Sequence, residues 1–207
     1  PAGGGARTMT RALDVRGLAK RYGERAVVDD VSIALAPGRI CGFLGPNGSG
    51  KTTTLRMLCG LLTPDAGSGT CLGLDLIKGA RDIKRQVGYM TQRFGLYEDL
   101  SGQENLDLYA DLHGVPQAIR RKRYTRLLEM TDLANFTARL AGKLSGGMKQ
   151  KLGLACTLVR SPELLLLDEP TAGVDPLSRR ELWEIVQQMI DDEQLTVLVT
   201  TAYLDEA

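Results

Sequence analysis

The sequence predicts an α/β fold built around a parallel sheet, and three stretches support this prediction. A glycine-rich loop over 45–52 follows a strand-like segment, Arg39–Leu44, for which we expect a short buried strand. The same loop precedes leucines at helical spacing over Thr53–Leu62. The continuous apolar runs Leu164–Leu167 and Leu195–Val199 are typical of strands that parallel sheets bury on both faces.

The glycine-rich loop has the spacing G-x-x-x-x-G-K-[ST], which is typical of phosphate binding. Its glycines allow consecutive backbone N–H groups to turn inward around an anion, and Lys51 can reach the β- and γ-phosphates of a nucleotide. Thr52 is the expected Mg²⁺ ligand, and Thr53 continues into a helix whose N-terminus favours negative charge. The predicted nucleotide-binding residues are Gly45, Pro46, Asn47, Gly48, Ser49, Gly50, Lys51, Thr52 and Thr53. The sequence therefore predicts a P-loop NTPase.

Segments around the loop alternate between apolar and polar residues. Ala12–Leu18 and Val31–Leu35 are candidates for antiparallel strands ahead of the loop, and Thr70–Gly73 for a short strand after it. Tyr22 lies between the first two segments and is a candidate for stacking on a base. Aromatic residues beside turns are often structural, so both interpretations of Tyr22 stay open.

The region over about 93–160 is predicted to be a helical subdomain inserted into the α/β pattern. Ser101 and Glu104 have the spacing of a capping box that begins a helix. A second helix is expected over Gln117–Leu133, behind Pro116. A third begins after Ser145, where Gly146 and Gly147 expose backbone N–H groups. These three residues form a second anion-binding helix terminus, which we expect to serve a nucleotide held by another molecule.

Two carboxylates follow the apolar run Leu164–Leu167, where ligands bind in open α/β sheets. Asp168 is expected to bind Mg²⁺ through water, and Glu169 to act as general base on the attacking water. Gln92 ends a strand predicted over Gln86–Gln92 and is a candidate for contact with Mg²⁺ or that water. Together with Lys51, Glu169 and Gln92 form the predicted catalytic set.

Composition limits the classes of partner. The 26 basic and 25 acidic side chains give a net charge of +1, which offers no electrostatic support for binding nucleic acid. Four scattered cysteines favour reduced thiols packed in the interior. The apolar runs are far shorter than the roughly 20 residues of a membrane-spanning helix. Residues 1–10 are expected to be a flexible leader.

These motifs together resemble the nucleotide-binding domain of an ATP-binding-cassette (ABC) transporter over Leu13–Ala207. The most specific segment is Leu144–Gln150, which resembles the family signature. The resemblance implies a RecA-like parallel core, adenine stacking by Tyr22, sensing of Mg²⁺ and of the membrane subunit by Gln92, and contact with a partner domain by Gly173–Asp175. It also implies ATP hydrolysis with Mg²⁺, a second nucleotide-binding domain, transmembrane permease subunits, and a location at the cytoplasmic face of the inner membrane.

Three segments are similar to those of ABC-2-type exporters of drugs, polyketides or polysaccharides. They are Phe94–Leu100, Leu144–Gln150 and Ala172–Pro176. The resemblance is to the first cassette of a tandem-cassette subunit, and it implies a domain over 11–207 that is truncated at its C-terminus. Within Phe94–Leu100, the side chains of Phe94, Leu96 and Tyr97 are expected either to form a docking groove or to be core of the helical subdomain.

One position departs from the family pattern. Where the family has a switch histidine after Thr-Thr, this sequence has Ala202 after Thr200 and Thr201. Because one transition-state donor is worth about 10²- to 10³-fold in rate, we expect slow hydrolysis at this site and a more active site completed on a partner cassette. Two alternatives stay open: a non-catalytic nucleotide-sensing half of a cassette pair, and a soluble cassette ATPase that acts on ribosomes or DNA.

Overall fold

The structure is a computed structural model that describes residues 11–92 and 95–202. The predicted leader, Phe94 and residues 203–207 lie outside the described residues. Within these ranges the chain forms eight strands and six α-helices. The strands are β1 (Leu13–Tyr22), β2 (Arg25–Leu35), β3 (Ile40–Leu44), β4 (Ala66–Cys71), β5 (Leu74–Asp75), β6 (Val87–Met90), β7 (Leu164–Asp168) and β8 (Thr196–Thr201). The helices are α1 (Lys51–Leu58), α2 (Ala80–Gln86), α3 (Gly102–Leu112), α4 (Gln117–Met130), α5 (Gly146–Leu158) and α6 (Pro176–Glu193).

The antiparallel sheet has the strand order β2-β1-β4-β5. Strand β1 pairs with β2 from Leu13 opposite Leu35 to Tyr22 opposite Arg25. The antiparallel arrangement predicted from the alternating segments is therefore confirmed. Strand β2 begins at Arg25, ahead of the predicted segment, because Gly23 at a φ of 59° closes a tight turn directly after β1.

The parallel sheet has the strand order β3-β8-β7-β6. Strand β7 pairs in parallel with β6 and with β8, and all five of its residues are buried. The prediction for Leu164–Leu167 is confirmed. The prediction of a buried strand ahead of the glycine-rich loop is wrong, because β3 lies at the edge of this sheet and Ile40 is 45% exposed.

Several helix bounds differ from the prediction for local reasons. Helix α1 ends at Leu58, because Gly60 at a φ of 72° turns the chain away. Helix α4 ends at Met130, where the Thr131 hydroxyl donates to the Leu127 carbonyl at 2.7 Å. Helix α2 was not predicted, since it is short and mostly polar. The capping box at Ser101 and Glu104 is confirmed at the start of α3.

The parallel sheet separates two hydrophobic cores. Leu164 and Leu166 of β7 face the core shared with α1 and the antiparallel sheet. Leu165 and Leu167 face the larger core, to which helices α3 to α6 contribute. Burial of each leucine contributes about 1.5 to 3 kcal/mol. Both faces of β7 are thus covered, which fixes the position of the residue that ends it, Asp168.

The described part of the chain contains no helix that is long and apolar enough to span a membrane. The cysteines are free thiols, and Cys59, Cys71 and Cys156 are buried while Cys41 is half-buried. This agrees with the predicted interior thiols. Burial raises the pKa of Cys59 to about 11, so this thiol stays protonated at neutral pH.

Candidate nucleotide-binding site

The predicted phosphate loop, Gln92 and Asp168 meet at the carboxyl end of the parallel sheet. The glycine-rich loop follows β3, Gln92 comes shortly after β6, Asp168 ends β7, and Thr201 ends β8. This edge is where open α/β sheets bind ligands. The Gly45 N–H donates to the Thr201 carbonyl at 3.3 Å, which joins the start of the loop to the end of β8.

Lys51 is folded back into the loop that precedes it. Its Nζ donates to the carbonyl groups of Gly45 at 2.6 Å and Pro46 at 3.0 Å. The same Nζ forms an ion pair with Glu169 Oε1 at 3.0 Å, and the Lys51 side chain is only 4% exposed. The ammonium group therefore lies at the centre of the loop, within reach of both the loop carbonyls and the general-base candidate.

The rest of the loop presents backbone rather than side chains. Asn47, Gly48 and Ser49 are exposed, and the Ser49 N–H closes a turn on the Pro46 carbonyl at 3.2 Å. Gly50 has a φ of 92° and lies against the Val27 carbonyl, so a side chain at this position would clash. It precedes α1 without any side-chain cap, which leaves the first N–H groups of the helix, including that of Thr53, for an anion.

Asp168 accepts hydrogen bonds from three hydroxyl groups on three different elements. Thr52 Oγ1 donates to Asp168 Oδ1 at 3.1 Å, and Thr200 Oγ1 donates to the same oxygen at 2.9 Å. The Tyr89 hydroxyl donates to Oδ2 at 3.2 Å. Asp168 is 2% exposed, so these bonds replace water around a buried carboxylate.

Sequence reasoning found Thr52 and missed Tyr89 and Thr200 as partners of Asp168. The signal for Thr200 is strand register, since Asp168 of β7 stands opposite Thr200 of β8. Tyr89 is the middle of the G-Y-M segment of β6, three residues before Gln92. Burial and the neighbouring Asp168 charge raise the pKa of Tyr89, so its hydroxyl remains a donor.

Glu169 has its carboxylate between the other two predicted catalytic residues. Oε1 contacts Lys51, and Oε2 accepts a hydrogen bond from Gln92 Nε2 at 3.2 Å. Its backbone has a φ of 48°, which is uncommon for a residue with a side chain. The Glu169 N–H donates to Thr200 O at 3.1 Å and to Thr200 Oγ1 at 3.0 Å, which holds this conformation. The structure thus brings Lys51, Gln92 and Glu169 together.

The donor set fits Mg²⁺. The Thr52 hydroxyl and the Asp168 carboxylate are hard oxygen donors, and Mg²⁺ is commonly held by one or two carboxylates together with phosphates and water. Within residues 11–92 and 95–202, no three acidic, His or Cys side chains form a metal cage. Gln92, the third predicted metal ligand, donates to Glu169, the residue that follows Asp168. These residues would hold a metal that completes its coordination with nucleotide.

The second predicted helix terminus begins α5. Ser145 Oγ accepts a hydrogen bond from the Met148 N–H at 3.2 Å. Gly146 has open space around its Cα, whereas a Cβ on Gly147 would lie 2.6 Å from Ser178 Cβ at the start of α6. Gly147 is therefore required by packing, and Gly146 presents open backbone.

Two predicted positions stand at the margins of the site. Tyr22 ends β1 in the antiparallel sheet and is 54% exposed, so its ring is accessible for stacking. Ala202 follows Thr201, whose carbonyl bonds to the loop at Gly45. Position 202 thus directly follows a residue that contacts the loop, but the alanine methyl group offers no hydrogen-bond donor.

A family model described as ABC transporter matches residues 28–172, which is most of the chain. The chain belongs to the ABC transporter family. Solved ABC ATP-binding subunits confirm the predicted P-loop NTPase fold. The cbiO1 subunit of Clostridium perfringens, part of the ABC transporter complex cbiONQ, aligns with a TM-score of 0.85 at 26% identity, over 95% of this chain and 80% of cbiO1. An ATP-binding subunit of an ABC transporter aligns with a TM-score of 0.82 at 31% identity, over 95% and 81%.

Sequence relatives of this ABC domain include ATP-binding proteins of exporters. The probable multidrug ABC transporter ATP-binding protein YbhF of Escherichia coli is 53% identical over 94% of this chain. The daunorubicin/doxorubicin resistance protein DrrA of Streptomyces peucetius is 41% identical over 96%. The Nod factor export ATP-binding protein I of Ralstonia nicotianae is also 41% identical over 96%. The chain spans 34% of YbhF, 60% of DrrA and 61% of the Nod factor protein.

Proposed function

We propose that this chain is the ATP-binding and ATP-hydrolysing domain of an ABC exporter, with a drug-like molecule, a lipid or a polysaccharide as the exported substrate. The observation that carries the proposal is the shared position of Lys51, Gln92 and Glu169 beside the Thr52–Asp168 pair. YbhF, DrrA and the Nod factor protein are named for multidrug transport, drug resistance and Nod factor export, which supports export as the process that the domain serves.

The chemistry follows from these contacts. Lys51 and the N–H groups at the start of α1 would bind the phosphates, and Mg²⁺ held by Thr52 and Asp168 would neutralise their charge. Glu169 would accept a proton from the attacking water, which Gln92 helps to orient. When Lys51 contacts the γ-phosphate, that contact would replace its ion pair with Glu169. The Glu169 carboxylate would then be available as a base.

A second nucleotide-binding domain is the partner that the start of α5 fits. Gly146 presents open backbone, and α5 has a serine N-cap and no acidic residue in its first turn. Such a terminus attracts phosphate. We infer that Ser145, Gly146 and Gly147 contact a nucleotide bound to the glycine-rich loop of the partner domain.

Permease subunits would hold the domain at the cytoplasmic face of the inner membrane. A cleft of about 260 Å³ lies between β6, the end of α1, and the ends of α3 and α5. Its lining is mostly apolar but carries three nitrogen-containing side chains, on Lys84, His113 and Arg160. We infer that an apolar permease segment with an acidic side chain docks in this cleft. Its apolar residues would match the apolar lining, and its acidic side chain would pair with Lys84 and Arg160.

The segment that precedes α3 contains both a core residue and an exposed one. Leu96 packs against the larger hydrophobic core, as expected for core of the helical subdomain. Tyr97 is 56% exposed and available to a partner. Phe94 lies outside the described residues.

The first experiment measures ATP binding and Mg²⁺-dependent phosphate release by the purified protein. Lys51→Met is expected to abolish release, because the buried ammonium group is the centre of the phosphate loop. Lys122→Met is the matched control, since Lys122 is exposed on α4, and it should leave release unchanged. Equal activity of the wild type and Lys51→Met would overturn the proposal.

We also propose that hydrolysis at this site is slow, because Ala202 supplies no donor to the γ-phosphate. Ala202→His is expected to raise the single-turnover rate by about 10²-fold, the usual effect of one transition-state donor. Ala202→Leu controls for side-chain size without adding a donor. No gain with Ala202→His would count against slowing by Ala202. A wild type that binds ATP but releases no phosphate would favour the nucleotide-sensing alternative.

A further inference from the structure

Tyr89 contacts Asp168, the predicted metal-binding carboxylate, and also lines the cleft beside β6. Its hydroxyl donates to Asp168 Oδ2 at 3.2 Å, and its ring is among the residues that line the cleft. The ring is partly buried and packs against the core around α1. Packing therefore fixes the ring, and the ring fixes the direction in which the hydroxyl points.

The two oxygens of Asp168 are held by different groups. Thr52 and Thr200 donate to Oδ1, whereas Tyr89 donates to Oδ2. Thr52 is also the predicted Mg²⁺ ligand, and its hydroxyl oxygen can bind the metal through a lone pair while its proton still donates to Oδ1. Two hydroxyl groups would therefore orient Oδ1, whereas Tyr89 would orient Oδ2.

We propose that Tyr89 is a positioning residue for Mg²⁺: it holds the Asp168 carboxylate in the orientation that the metal requires. The inference rests on the proposed function, since it concerns the same site. Hydrogen-bond partners of metal ligands restrict the ligand to one orientation, and their loss commonly weakens metal binding by about 10-fold or more. Tyr89 does not contact the nucleotide in this proposal and acts only through Asp168.

Tyr89→Phe tests the proposal because it removes the hydroxyl and keeps the packed ring. Binding of the non-hydrolysable ATP analogue AMP-PNP is measured by calorimetry, first in EDTA and then over a series of MgCl₂ concentrations. We expect the Mg²⁺ concentration for half-maximal enhancement of binding to rise by about 10-fold. The affinity for AMP-PNP in EDTA should be unchanged.

Tyr109→Phe is the matched control. Tyr109 lines the same cleft, but its hydroxyl donates to the Gly95 carbonyl at 2.8 Å. This variant should keep the Mg²⁺ dependence of the wild type. An equal loss of AMP-PNP affinity in EDTA and in Mg²⁺ would show a structural role for Tyr89. An unchanged or lower Mg²⁺ concentration for half-maximal enhancement would show that Asp168 does not need the Tyr89 hydroxyl. Either result would overturn the inference. If the wild type bound no AMP-PNP under either condition, the proposed function would fail, and the inference with it.

Discussion

Glu169 holds two partners with one carboxylate, and this predicts opposite effects on binding and on hydrolysis. In Glu169→Gln the ion pair with Lys51 is lost, so Lys51 is freer to bind phosphate. The proposed general base is lost as well, and loss of a general base typically costs about 10²- to 10⁴-fold in rate. We expect ATP affinity to rise by a few-fold while single-turnover hydrolysis falls by at least about 10²-fold. Equilibrium binding and phosphate release measure the two effects.

Glu163→Gln is the control, because Glu163 is exposed and precedes the same strand. It should change neither quantity. If Glu169→Gln bound ATP more weakly than the wild type, Lys51 would not be restrained by Glu169.

Motifs made most of this site predictable at the level of residues. Lys51, Thr52, Asp168 and Glu169 occur in patterns whose spacing has a chemical reason, and the structure brings all four together. Tyr89 and Thr200 contact Asp168 only because of strand order and register, which a single sequence does not reveal. The part of the site that the sequence does not predict is therefore the set of hydrogen bonds that support Asp168.

At the scale of elements, the start of α5 depends on its contact with α6. A Cβ on Gly147 would overlap Ser178, so Gly147→Ala should force the two helices apart. Overpacking of this kind costs about 1 to 3 kcal/mol, which corresponds to a fall in Tm of roughly 2 to 4 °C per kcal/mol for a chain of this size. Thermal unfolding measures the change.

Two further variants distinguish steric overlap with Ser178 from a general effect of replacing glycine by alanine at the start of a helix. Gly146→Ala adds the same methyl group where space is open, so its Tm should match or exceed that of the wild type. Ser178→Gly in the Gly147→Ala background removes the overlapping side chain and should recover part of the lost Tm. Without such recovery, the Ser178 contact would not explain why glycine is needed.

The loop that precedes α3 is held by one buried side chain. Asn105 Nδ2 donates to the carbonyl groups of Tyr97, Leu100 and Ser101, and Oδ1 accepts from the Tyr97 N–H at 2.9 Å. Asn105→Asp replaces the donor by a carboxylate that faces three carbonyl oxygens. We expect a loss of about 3 kcal/mol or more in the free energy of unfolding, as for other buried charges left unpaired. Urea denaturation measures it.

Asn135→Asp introduces the same charge at an exposed position and should change stability little. Equal stability of the two variants would mean that the Asn105 amide does not hold the loop. Sequence reasoning predicted the capping box that starts α3 but not Asn105, because a cap is local whereas the loop contacts its amide only after folding.

At the scale of the whole molecule, the parallel sheet lies between two cores, and alternate residues along β7 pack into one core or the other. Apolar runs predicted β7 and β8, because strands covered on both faces need apolar residues at every position. The exposure of β3 was not predictable, since its place at the edge depends on the strand order. The family resemblance implied a RecA-like parallel core, but neither it nor periodicity specified which strand lies at the edge.

The position of His113 between α3 and Arg160 leads us to expect that acid lowers the stability of the fold. It caps α3, lies 3.4 Å from Arg160 Nη1 through Nδ1, and faces the cleft that also contains Lys84. Arg160 in turn donates to the Lys84 carbonyl at 2.9 Å, which ties the chain after α5 to α2. Burial and the Arg160 charge lower the pKa of His113, so folding favours its neutral form.

The direction of the pH effect follows from that shift. The unfolded chain binds a proton at His113 near the ordinary pKa of about 6.5, whereas the folded chain binds it only at lower pH. The free energy of unfolding should therefore fall as the pH drops below about 6.5, and the fall should be smaller in His113→Gln. Urea denaturation at pH 8, 7, 6 and 5.5 measures the difference before most carboxylates titrate. At pH 8 His113 is neutral in both states, so any difference in stability between the wild type and His113→Gln there reports packing alone. If the stabilities of the two proteins changed in parallel over all four pH values, Arg160 would not disfavour the charged imidazole.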